Sequence, residues 1–110
     1  MRGRKISQAA RKELDLVIVA ARYQSDDGFL SIAQGYERRG PVWGDVQIFT
    51  REELAEKINQ RERVFTGREA DIEGDFEVLE PVQVQRRNGD FALYVGESSS
   101  DTDQLNVPLF

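Results

Sequence analysis

Cysteine and histidine are both missing from the 110 residues. Without cysteine there is no disulfide, no thiolate nucleophile and no thiolate metal site, and redox compartment has no signature in the chain. Without histidine the chain has neither a side chain that titrates near neutral pH nor the commonest transition-metal ligand. Any chemistry would fall to carboxylates, tyrosines, serines and the lysines Lys5, Lys12 and Lys57. We therefore expect a non-enzyme with no catalytic residue, metal or cofactor. No apolar run approaches the roughly 20 residues that span a bilayer, so no membrane association is expected. The opening MRGRKISQAARKE has no apolar segment of the secretory kind, which makes a cytoplasmic location the expectation.

The charge balance is acidic, 15 basic against 20 acidic residues for a net −5. It is also uneven. Arg2, Arg4, Lys5, Arg11 and Lys12 crowd the start, and Glu97, Asp101 and Asp103 lie near the end. Grip on a nucleic-acid backbone depends on counterion release by clustered Lys and Arg, so a negative body disfavours it. The length suits one domain with a core large enough to need no staples.

Periodicity predicts a mainly β protein, α+β by count. Leu14–Gln24, LDLVIVAARYQ, is apolar on both faces and suits a central strand. After the turn Ser25, Asp26, Asp27, Gly28, the stretch Phe29–Glu37 returns as its partner, with Gly35 marking a bulge or bend. The pivotal stretch is VWGDVQIFTREELAEKIN, residues 42–59. Apolar residues occupy both faces from Val42 to Phe49, which predicts a strand inside a sheet. The period then changes to that of a helix. Thr50 and Glu53 form a capping box, and Leu54, Ala55 and Ile58 make one apolar stripe.

Beyond the helix, Glu62–Gly67 is a short strand. Phe76–Arg87 is a longer one in which Pro81 marks an edge or a break. Asn88 and Gly89 are the strongest hairpin signal in the chain, and Phe91, Leu93 and Val95 face inward on the closing strand. Six strands with one helix between the third and fourth predict a small antiparallel β-barrel over residues 14–96. A basic arm or short helix at 1–13 precedes it, and an acidic flexible tail at 97–110, ESSSDTD then QLNVPLF, follows it.

The element order resembles the OB fold, a barrel that often binds single-stranded nucleic acid or oligosaccharide. On that likeness Tyr23, Tyr36, Arg38, Arg39 and Trp43, with Phe49, Tyr94 and Arg22, would form a stacking and charge platform. The bland alternative makes Trp43 and Phe49 core and the arginines solvated, and the acidic balance favours it. The alternation Asp71, Glu73, Asp75, Glu77 fails as a calcium-binding EF-hand loop. Counted from Asp71, the sixth and twelfth places hold Phe76 and Val82, where that loop needs glycine and glutamate. No spacing singles out a carboxylate pair for glycoside hydrolysis.

Gln104, Leu105, Asn106, Val107, Pro108, Leu109 and Phe110 are an apolar peptide behind an acidic spacer. It resembles the longer form of the peptide by which bacterial replication and repair proteins bind the polymerase sliding clamp. The resemblance implies that Gln104 bonds at the rim of the clamp pocket. Leu105 and Val107 would help fill that pocket, and Leu109 and Phe110 would anchor in its depth. Val107 departs from the usual leucine or methionine. The ending is also similar, more faintly, to the acidic tip of bacterial single-stranded-DNA-binding proteins, although Leu109 separates Pro108 from Phe110.

Two readings of the tail stay open: docking on a partner, or folding back as an extra strand on its own barrel. The first makes the protein a non-catalytic adaptor tethered to the sliding clamp and acting in DNA replication or repair. The second makes it a protein-interaction or structural domain. A carboxylate-dependent enzyme acting on a sugar or similar small substrate is a further alternative.

Overall fold

The computed structural model describes residues 14–39, 42–69, 76–87, 89–96 and 103–110. The expected basic arm, the acidic alternation at Asp71, Glu73 and Asp75, Asn88 and the Ser98–Ser100 run lie outside the described residues. The elements are β1 (Leu16–Tyr23), β2 (Leu30–Arg39), β3 (Val42–Thr50), α1 (Arg51–Asn59), β4 (Val64–Glu69), β5 (Phe76–Arg87) and β6 (Asp90–Val95). The protein is a small, mainly β domain with its helix between the third and fourth strands. Among the described residues no helix is long and apolar enough to cross a membrane.

In space the strands are ordered β3-β2-β1-β4-β5-β6. β1 is central: β2 pairs with it antiparallel, and β4 pairs parallel with it at Leu16, Val17 and Ile18. Burial on both faces explains its unbroken apolar run. The parallel pair follows from α1. Two strand reversals leave β3 running the same way as β1, and the helix then carries the chain back so that β4 starts beside the start of β1. The sheet is therefore mixed, where an all-antiparallel barrel was expected.

α1 begins where its capping box sets it. Thr50 Oγ1 accepts the Glu53 N–H at 3.1 Å, and Glu53 Oε1 accepts the Thr50 N–H at 2.8 Å. Leu54 and Ala55 then enter the core and Ile58 packs against it. Lys57, one turn from the end, bonds Glu37 of β2 at 2.8 Å and pins the helix to the sheet.

Three sequence signals find their reasons here. Gly35 is required because a Cβ there would stand 2.5 Å from the Val17 carbonyl oxygen, where β1 bulges between Ile18 and Ala20. Pro81 sits where β5 changes partners: residues up to Pro81 pair with β4, and Val82 onward pairs with β6. A residue without an N–H fits at that hand-over. Gly89, with φ of 84°, lies in the two-residue turn between the paired Arg87 and Asp90.

β3 corrects a second expectation. Its apolar faces suggested an interior strand, yet it ends the strand order. Phe49 is buried in the core, whereas Val46 and Ile48 are 47% and 50% exposed. The main core joins Leu16 and Ile18 of β1, Leu30 of β2, Leu54 of α1, Leu93 and Val95 of β6, and Leu105 of the tail.

Thr50→Ala removes the cap acceptor and should lower stability by about 1 kcal/mol. The change is read as a shift in the urea midpoint at unchanged slope.

Candidate functional site

From Asp103 onward the tail lies between β6 and β1. Gln104 N–H donates to the Leu93 carbonyl at 2.8 Å, and Gln104 bridges Tyr94 in parallel. Further on, Ala21 N–H donates to the Pro108 carbonyl at 2.9 Å, Phe110 N–H donates to the Ala21 carbonyl at 3.3 Å, and Leu109 bridges Ala21 in parallel. β4 pairs with β1 only as far as Ile18, and the tail takes the same edge of β1 beyond that point. Residues 103–110 are therefore not the flexible tether expected of them. In the structure QLNVPLF is folded back, along an edge of β1 whose backbone groups no other described strand pairs beyond Ile18.

Folding back divides the five clamp-like residues. Leu105 is fully buried, and Val107 packs half-buried against the core. Gln104 is exposed, Leu109 is 73% exposed and Phe110 is 36% exposed. Asn106, with φ of 57°, makes the kink between the two inward side chains, in a left-handed conformation that asparagine tolerates better than most residues. Arg22 holds the tip: its Nε donates to the Phe110 carbonyl at 2.8 Å, and its guanidinium lies 4.9 Å from the Phe110 ring centre.

The root of the tail is held by a buried carboxylate. Asp103 Oδ2 accepts the Leu30 N–H at 2.7 Å and Arg51 Nε at 2.7 Å, while Oδ1 accepts the Leu93 N–H at 2.8 Å. Its side chain has no exposed surface. Arg51, the first residue of α1, also donates through Nη2 to the Phe91 carbonyl. Its guanidinium lies between the rings of Phe91 and Phe29, 3.9 and 4.5 Å from their centres. Neither Arg51 nor Phe29 stands out in the sequence as a site residue, Phe91 stands out only as an inward-facing one, and Asp103 only as acid in a tether. An arginine after a helix cap and an aspartate in a polar run carry no local mark of burial.

The aromatic and arginine set is also divided. Across β2 and β3, Arg38 pairs with Trp43 and Tyr36 pairs with Val46. Arg38 stacks on Trp43, 5.0 Å from the ring centre, and its Nε donates to the Leu14 carbonyl at 2.6 Å. Arg39 lies over Gly44, its Nε 2.7 Å from where a Cβ would stand. Tyr36, Arg38, Arg39 and Trp43 thus gather near the β2–β3 connection. Tyr23 does not join them. It sits at the far end of the eight-residue β1, six residues and about 20 Å along the strand from Val17, the partner of Tyr36, and its hydroxyl accepts the Leu105 N–H at 3.1 Å. Burial, together with the nearby Asp103 carboxylate, pushes the Tyr23 hydroxyl above its ordinary pKa, against the opposing pull of the Leu105 bond.

Asp103→Ala should destabilise the fold by about 3 kcal/mol, because Arg51 loses its buried partner and keeps only the exposed Asp90, 3.7 Å away. The same change made on an Arg51→Ala background should cost less, as a double-mutant cycle would show. For Tyr23 the fold favours the neutral form, so its contribution is complete below the unfolded pKa of about 10 and is lost as pH rises through the folded value. For Lys57, whose pKa is raised chiefly by its bond to Glu37, the fold favours the charged form, and the loss falls in the same alkaline direction. Melting temperature should therefore fall above about pH 10. The phenolate absorbance that disappears in Tyr23→Phe should titrate above the ordinary tyrosine range.

Compared with known proteins, the chain matches no protein family, no curated protein and no solved structure.

Proposed function

We propose that the protein is a non-catalytic protein-interaction domain whose tail is one of its own structural strands, with partner contact falling on Leu109 and Phe110. The supporting observation is the division of QLNVPLF by burial. Leu105 has no exposed surface, while Leu109 is 73% exposed. A free recognition peptide keeps its anchors together in solvent; this one has part of its apolar surface in the core and displays the rest.

Clamp recruitment, with action at replicating or repaired DNA, is a second reading, favoured by the exposure of Leu109 and Phe110. To seat Gln104, Leu105 and Val107 as well, the tail must leave its groove. That withdraws a buried leucine, about 1.5–3 kcal/mol, and breaks the Tyr23 bond, about 1 kcal/mol. The intact chain would then bind a clamp about a hundredfold to a thousandfold more weakly than the free peptide.

Two measurements separate the readings. Leu105→Ala should cost about 2–5 kcal/mol and lower the melting temperature by on the order of 10 °C; an unchanged melting temperature would remove the structural role of the tail. A peptide of residues 98–110 and the intact chain should both fail to compete for a purified bacterial clamp. Competition by the peptide that is lost in Gln104→Ala with Phe110→Ala would establish the clamp reading instead.

A further inference from the structure

The cross-strand register places Tyr36, Arg38, Trp43, Val46 and Ile48 on one face of the β2–β3 pair. That face ends at β3, the last strand of the sheet. Edge strands are commonly blunted by charge, proline or a bulge. β3 carries one charge, Asp45, and its register shift falls between the Trp43 and Val46 pairings. From Val46 to Thr50 the sequence VQIFT has neither charge nor proline. It is regularly paired on its inner side, and Val46 and Ile48 stand about half exposed on its outer face.

We propose that Val46–Thr50 pairs antiparallel with the same segment of a second copy, with the twofold axis at Ile48, so that the six-stranded sheet continues across the interface. The occupant is a second copy because the edge complements itself. In this register Ile48 meets Ile48, Val46 meets Thr50 and Gln47 meets Phe49, so no two like charges oppose. Beside Asp45 at one end and Arg51 at the other, each end of the segment also presents an exposed charge, basic at one and acidic at the other. Arg39 is carried over Gly44, beyond one end, and the exposed Glu52 stands in the first turn of α1 beyond the other. The twofold axis sets each against its opposite on the other copy, forming two equivalent ion pairs and a self-complementary interface. This pairing stands independently of the reading of the tail.

Sedimentation velocity of the intact chain from about 1 μM to about 1 mM, the span of weak to moderate association, tests it. A dimer is expected, with amide exchange at Val46–Thr50 slowing as concentration rises. Ile48→Lys should abolish dimerisation while leaving the circular dichroism spectrum and melting temperature unchanged. Arg39→Glu should weaken dimerisation about tenfold, and adding Glu52→Arg should restore it. A chain that stays monomeric to about 1 mM overturns the proposal and leaves the edge to an extended strand from another protein. A dimer that survives Ile48→Lys, or one that the charge exchange fails to restore, overturns the pairing.

Discussion

The contact on which the rest of this molecule depends is the one between Asp103 and Arg51. A carboxylate with no exposed surface is tolerable only when its oxygens are matched by donors, and here two backbone N–H groups and a guanidinium supply them. The donors come from the start of β2, from β6 and from the first residue of α1, so one side chain holds three elements in register with the tail. The aromatic rings on either side of Arg51 exclude water and strengthen the pair. Tail and globule are therefore interdependent. Removing the tail strips a buried cation of its buried partner, leaving it the exposed Asp90, and Leu105 leaves the core at the same time.

The same arrangement settles which sheet edges are covered. The nine residues of α1 bring β4 back beside β1, but β4 pairs along only part of that strand. The remaining edge of β1 is taken by residues 108–110, which removes a row of unpaired backbone groups and bridges β6 to β1. β3 has no such cover among the described strand pairings, and the least charged part of it is the part most regularly paired on its inner side. Two outward apolar pairs among the described residues thus differ in origin. Leu109 and Phe110 are what remains outside when a strand is docked in cis; Val46 and Ile48 belong to a strand that ends a sheet.

Much of the fold was legible in the chain. The six described strands and the helix fall within a few residues of their predicted places, because each depends on local causes: alternation, the Thr50 and Glu53 box, the turn at Gly89, and Gly35 with Pro81 as interruptions. The candidate sites were legible only as composition. QLNVPLF stands out as an apolar peptide after a polar run, but nothing local says that Leu105 turns inward while Leu109 turns outward. That division depends on the Asn106 kink and on a vacancy along β1 created by residues far away in the chain. Tyr23 and Trp43 look alike as aromatic residues next to arginines, yet the pairing of β1 with β2 sets them at opposite ends.

The sequence by itself determined the class of the domain, its element order among the described residues, its capped helix and the absence of cysteine and histidine. Those properties follow from residue types and short-range spacing. Tertiary structure decided the parallel β1–β4 pair, the edge position of β3, the burial of Asp103 against Arg51 and the docking of the tail. Each of these turns on which backbone edges are left unpaired once distant segments meet, and on whether a charge finds its partner inside the core. Hydrogen-bond satisfaction of that kind belongs to the assembled chain and has no counterpart in the spacing of its residues.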